Sequence, residues 1–185
     1  DVESRGLGDV YKRQEDLINE FFEITRFNIY DITLQYTKIN LTRLLEQLVY
    51  EFKPMLKSKN LQCNLCVDDD IMLRCDADKI QRVFDNLLRN AVIYSFENTD
   101  ITISAQCHED TVSIIFCNHG DTLPEEKLNR IFEQFYRLDA ARSTSSGGAG
   151  LGLAIVKQIV ELHNGTIVAE SQEDQNKFSI TLPLA

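Results

Sequence analysis

Apolar side chains recur along this chain with two periods, 3.6 and 2, and the periods alternate from segment to segment. Residues 41–57 repeat at three and four, which predicts an amphipathic helix, with Asn40 before it as N-cap and Pro54 tolerable only near its end. Thr37-Lys38-Ile39-Asn40 reads as a short strand leading in. Residues 61–67 and 71–75 read as a pair of strands around the acidic turn Asp68-Asp69-Asp70. Asp76 or Asp78 then opens a second helix to about residue 93, with the stripe Ile80, Val83, Phe84, Leu87, Leu88, Ala91. Alternation over 101–107 and 112–117 predicts two strands joined at His108-Glu109-Asp110. Pro124, with Glu125 and Glu126 behind it, suits the first turn of a short helix ending near residue 132. The last helix carries Leu153, Ile155, Val156, Ile159, Val160 and Leu162 and stops at Asn164-Gly165. Residues 166–170 and 177–182 close the pattern as a hairpin. Upstream, Leu17, Ile18, Phe21, Phe22, Ile24 and Phe27 put one heavy apolar stripe on residues 15–28, which needs another helix to pack against. Residues 1–14 show neither period and are expected to be a leader outside the fold, non-native or disordered.

Helices and antiparallel strand pairs thus alternate, and the predicted class is α+β, a two-layer α/β sandwich. A chain of 185 residues holds one such domain plus an extension, and a hydrophobic fraction of 43% supplies an ordinary core. The formal net charge of −10 argues against a nucleic-acid partner, because phosphate contacts need a basic face. Five cysteines, an odd number, argue against a disulfide framework. Cys63 and Cys66 have no second pair at zinc-like spacing, and read as apolar filler in a strand. No apolar run reaches the roughly 18 residues that span a bilayer, and no signal-peptide pattern is visible at the start.

Four of the eight glycines fall within residues 147–152, directly ahead of the last helix. Glycine lets backbone N–H groups approach an anion without a Cβ in the way, and a helix start adds unsatisfied N–H groups and the positive end of the dipole. The run Gly147-Gly148-Ala149-Gly150-Leu151-Gly152 is therefore a phosphate cradle in outline, although it is neither a P-loop nor G-x-G-x-x-G. The preceding run of Ser, Ala and Arg reads as a mobile loop, and a loop hinged on glycines beside a phosphate site suggests a lid. On the second helix Asn86 and Asn90 stand four apart, on one face. Asparagine is a poor residue inside a helix, but its amide oxygen can ligate Mg²⁺ and the amide can bond phosphate or water. Asn118-His119-Gly120 follows a strand, where it is either an ordinary turn or a polar tip aimed at a flat heterocycle.

Together these segments resemble the catalytic ATP-binding domain of bacterial sensor histidine kinases, closest to the sensors of vancomycin-resistance systems. The matching motifs are Asp78-x3-Arg82-x3-Asn86-x3-Asn90-Ala91-x2-Tyr94-Ser95, Asn118-x-Gly120, Phe132-x2-Phe135-Tyr136-Arg137 and the glycine run through Leu153. The resemblance implies a Bergerat-type fold, with a mixed sheet of about five strands, three main helices and a mobile ATP lid. It divides the chain into residues 15–30, the end of a dimerisation helix, and 31–185, the catalytic domain. It implies ATP and Mg²⁺ as cofactors, with Asn86 on the metal and Asn86 and Arg137 catalytic. Asn90, Tyr94, Asn118, Gly120, Phe135, Arg142, Gly148, Gly150, Leu151, Gly152 and Leu153 would complete the nucleotide site. The expected partners are a phosphoacceptor dimerisation domain and a response regulator, in a membrane-bound homodimer whose catalytic domain is cytoplasmic, at the bacterial inner membrane.

The chain departs from the family pattern at three places. Asn118 stands where the family has Asp, which predicts a weaker separation of ATP from GTP; Thr122 stands where it has a second Gly. Ile93 stands where a Lys is usual, which predicts a heavier reliance on Mg²⁺. His108, His119 and His163 lie at turn or helix-end positions, and none has an acceptor-like setting, so the phosphorylated histidine lies elsewhere. ATPases of the gyrase and chaperone type place a Glu where Asn86 stands, and an amide cannot activate water as a base. A nucleotide-binding regulatory module without catalysis is the other alternative.

Overall fold

The computed structural model describes Gln14, Ile18, Asn19, residues 33–136 and residues 150–184. The expected leader, most of the upstream helix, and Arg137, Arg142 and Gly148 lie outside the described residues.

The element order is β1 (Tyr36–Asn40), α1 (Leu41–Ser58), β2 (Gln62–Val67), β3 (Met72–Asp76), α2 (Ala77–Tyr94), β4 (Asp100–His108), β5 (Thr111–His119), α3 (Glu125–Leu128), α4 (Gly152–Leu162), β6 (Thr166–Gln172) and β7 (Gln175–Pro183). The caps fall where the sequence puts them: the Asn40 side chain accepts from Arg43 N–H and the Asp76 side chain from Lys79 N–H. Asn164 takes the left-handed position after α4, and Gly165 beyond it is packed so close to β7 that a Cβ would strike the Leu182 side chain.

Five strands form one mixed sheet in the order β2-β4-β5-β7-β6, and β1 and β3 make a separate two-stranded sheet. The expected pairing of β2 with β3 is therefore wrong. β2 runs parallel to β4, and β3 pairs antiparallel with β1. The Thr42 hydroxyl, in the first turn of α1, donates to the Asp68 carbonyl and accepts from Ile71 N–H, which turns the chain out of the main sheet. The parallel β2–β4 pair then needs a long crossover, which α2 supplies.

Helices α1, α2 and α4 cover one face of the sheet. Alternation along β5 points Val112, Ile114, Phe116 and Asn118 to that face, and β7 points Asn176, Phe178, Ile180 and Leu182 to it. The two rows stand opposite each other in register: Val112 with Leu182, Ile114 with Ile180, Phe116 with Phe178, Asn118 with Asn176. The apolar rungs are core, with the Phe84 ring of α2 5.8 Å from that of Phe116. At the open end of the sheet the pattern changes from apolar to amide. Cys63 is partly buried and Cys66 exposed, on opposite faces of β2, so they cannot converge on a metal; burial pushes the Cys63 thiol up to about 12. Among the described residues no helix is long and apolar enough to cross a membrane.

Candidate functional site

Helix α2 buries Ile80, Val83, Phe84, Leu87, Leu88, Ala91 and Val92 against the sheet. That orientation leaves Asn86 and Asn90 half-buried on its flank, facing α4. Asn86 Nδ2 donates to the Arg82 carbonyl, so its orientation is set and Oδ1 is turned toward the start of α4. A Cβ on Gly152, the first residue of α4, would stand 2.9 Å from that oxygen. Glycine there leaves room for the amide oxygen against the helix start.

The start of α4 carries no side-chain cap and no acidic residue in its first turn. Among the described residues no side chain caps its leading N–H groups, which with the positive dipole end suit an anion. Gly150 sits at φ 79°, a left-handed conformation suited to glycine. Phe135 N–H donates to its carbonyl at 3.0 Å, joining the described residues on either side of 137–149.

Beside α2 and the end of the sheet lies a cavity of about 180 Å³. Ile131, Leu153 and Phe178 give it apolar walls, and Asn90, Tyr94, Asn118 and Asn176 bring polar groups from α2 and the two central strands. An apolar slot with a few fixed polar groups suits a flat heterocycle. Asn118 is 3% exposed and its Nδ2 has no hydrogen-bond partner. An unpaired buried amide nitrogen costs roughly 1–3 kcal/mol.

The turn after Asn118 is fastened on both sides. A Cβ at Gly120 would run into the Tyr94 carbonyl oxygen at the end of α2. Gly120 N–H donates to the Asp174 carbonyl of the β6–β7 turn, and Leu123 N–H donates to the Ser171 hydroxyl. Thr122 accepts from Asp174 N–H at 2.8 Å and donates to the Asp174 carboxylate at 3.0 Å. The hydroxyl holds a turn that a glycine would leave loose.

At the end of α2, Lys59 Nζ donates to the Ile93 and Ser95 carbonyls at 2.6 and 3.1 Å. This cation supports the helix terminus. The site helices are also joined at their far ends by His163. Its Nε2 accepts from Asp76 N–H at the head of α2, and its Nδ1–H donates to the Ile159 carbonyl of α4. Burial pushes the His163 pKa down.

The cavity brings together Asn90, Tyr94, Asn118 and Leu153, with Gly120 beneath and Asn86 and Gly152 beside it. It does not include Phe135, which is 55% exposed; Phe132 is the aromatic that packs inward, edge-on to Phe178. The Leu151 side chain is fully buried in the core, so only its backbone can face a ligand. Asn176 and Lys127 line the cavity and were missed by sequence reasoning. Asn176 had one signal, a residue of low β-propensity within a strand; Lys127 had none.

Fold and site together define a two-layer α/β sandwich with a part-polar cavity beside an uncapped helix start. The model of the histidine kinase-, DNA gyrase B-, and HSP90-like ATPase family matches residues 75–185, and the chain belongs to that family. It is 48% identical over 171 residues to the sensor protein VanS of Enterococcus faecium, covering 92% of this chain and 44% of that protein. To VanSC of Enterococcus gallinarum it is 44% identical over 172 residues, covering 93% and 47%. The catalytic domain of histidine kinase ThkA superposes with a TM-score of 0.74 at 27% identity, covering 82% of this chain and 97% of that domain. The chain thus corresponds to the catalytic ATPase portion of sensor histidine kinases, and spans less than half the length of the two sensor proteins. The gyrase- and chaperone-type alternative is not favoured.

Proposed function

We propose that this chain binds Mg–ATP and transfers its γ-phosphoryl group to a histidine on a dimerisation domain, for relay to a response regulator. The observation that carries this reading is the convergence of Asn86 Oδ1 and the uncapped start of α4 beside a cavity floored by the unpaired Asn118. Asn118 would meet the edge of the base, Tyr94 and Asn90 would line its pocket, and the N–H groups of Gly152 and Leu153 would meet the phosphates. Arg137, Arg142 and Gly148 belong to the proposed lid, with Arg137 or Arg142 near the γ-phosphate. Such placement of charge is how phosphoryl transfer is generally accelerated.

The donor set fits magnesium. The Asn86 amide oxygen is a hard, neutral ligand, and Mg²⁺ is commonly held by few protein oxygens with water and nucleotide phosphates completing its shell. Bound there, the ion would neutralise phosphate charge. Asn86 cannot take a proton, so water activation in the gyrase manner is not among its roles.

Residues 15–30 are proposed as the end of the dimerisation helix and 31–185 as the catalytic domain, in a homodimeric membrane sensor with this domain in the cytoplasm. The test has two arms. A non-hydrolysable ATP analogue is titrated with and without magnesium, and a separate dimerisation domain carrying the acceptor histidine is supplied with labelled ATP. Binding and transfer are expected. Binding without transfer identifies a regulatory nucleotide module instead, and no heat with about millimolar nucleotide overturns the reading altogether.

A further inference from the structure

We propose that the base floor of this cavity is a pair of carboxamides, one locked and one free to turn, and that the site therefore takes 6-oxo purine nucleotides as well as ATP. This rests on the nucleotide-site reading above and concerns which bases that site admits. Asn118 and Asn176 are cross-strand neighbours on one face of the sheet, 3% and 6% exposed, and both line the cavity.

Asn176 is held. Its Oδ1 accepts from the Ser171 hydroxyl at 2.6 Å and its Nδ2 donates to the Asp121 carbonyl at 3.2 Å. Turning this amide would set its oxygen against the Asp121 carbonyl oxygen, two acceptors with no proton between them. Asn118 is different. Its Nδ2 has no partner, so no hydrogen bond at that nitrogen opposes a half-turn about the last side-chain torsion. Such a turn exchanges an acceptor for a pair of donors at nearly the same place.

The two purine classes differ at that edge. A 6-amino purine presents a donor at position 6, which Asn118 Oδ1 can accept. A 6-oxo purine presents an acceptor, which Asn118 Nδ2 can meet. An ionised carboxylate at the same position offers acceptors only and repels the 6-oxo group. The fixed Asn176 lies beside the switchable group and serves both classes alike.

The test measures dissociation constants of ATP and inosine triphosphate, each with magnesium, by calorimetry on the whole chain. The wild-type constants are expected to agree within about tenfold, and Asn118→Asp to widen the ratio by at least about tenfold in favour of ATP. Asn176→Ser should weaken both nucleotides together and leave their ratio within about threefold. A wild-type preference for ATP beyond about tenfold overturns the inference while leaving the nucleotide site intact. So does an unchanged ratio in folded Asn118→Asp, or a ratio that follows Asn176 instead. If neither nucleotide binds, the nucleotide-site reading fails first. A wild-type preference for ATP beyond that limit decides against the inference without any variant.

Discussion

Gly152→Ala separates the binding role of the α4 start from its structural role. Gly152 is helical and is not among the positive-φ glycines, so alanine fits its backbone. Alanine is also the better helix former, by up to about 1 kcal/mol in a helix interior and less at a first position. The added Cβ would lie 2.9 Å from Asn86 Oδ1 and 3.6 Å from its Cγ. Among the described residues, the only crowded atoms belong to the end of a flexible side chain, and the clash is relieved when Asn86 shifts by a few tenths of an ångström or more. That movement takes the oxygen away from the place where it would meet a cation. A hydrogen bond or ligand contact to a charged group is worth about 1.5–3 kcal/mol. The affinity for the Mg–analogue complex should therefore fall roughly 10- to 100-fold, while the melting temperature stays level or rises. Calorimetry with a non-hydrolysable ATP analogue, repeated in Asn86→Ala, completes a double-mutant cycle. In that background Gly152→Ala should cost almost nothing further, because the group it displaces is gone. Equal losses in both backgrounds, or affinity within about twofold of wild type, would refute the placement of Asn86 as the metal-facing oxygen.

With an apolar Ile93 near the end of α2 and Lys59 engaged on backbone carbonyls, magnesium removal should raise the ATP dissociation constant by more than about twofold; titration with EDTA measures it, and an unchanged constant sinks the idea. Gly120→Ala should lower stability by about 1–3 kcal/mol, because its Cβ meets the Tyr94 backbone and not a movable side chain; urea unfolding reads the loss, and a wild-type midpoint contradicts the packing. The folded pKa of His163 is lowered by burial below its ordinary value near 6.5, so the unfolded chain binds the extra proton more readily. Its neutral form stabilises the fold fully above about pH 6.5, and that stability is lost as the pH falls through 6.5 toward the folded value. Urea unfolding at about pH 7.5 and pH 5.5 should show the decline, and His163→Gln should flatten it; a slope unchanged in the variant assigns it elsewhere.

The helices were legible because their signals are local. An N-cap oxygen and a 3.6-residue stripe lie within a few turns of the groups they serve, as at Asn40, Asp76 and along α2. The strands were legible as segments for the same reason, but their partners were not. Nothing between residues 61 and 76 says that β2 pairs parallel with β4 after a crossover, or that β3 returns to β1. Short sequence separation pointed to a hairpin, and the Thr42 hydroxyl, far off in the chain, decided otherwise.

The site divides along the same line. Spacing alone put Asn86 and Asn90 on one helix face, and the glycine run announced a close approach of backbone to something. What Gly152 approaches, the Asn86 oxygen, is a fact of how α4 lies on α2. Asn118 was visible as a strand end, while Asn176, 58 positions later, joined it only through the β5–β7 register. Alone, the sequence determined which groups each element carries and which face they take, because periodicity is set by covalent geometry. Tertiary structure decided which of those groups meet, because contacts between elements depend on register and packing angle, and neither is written within any one segment.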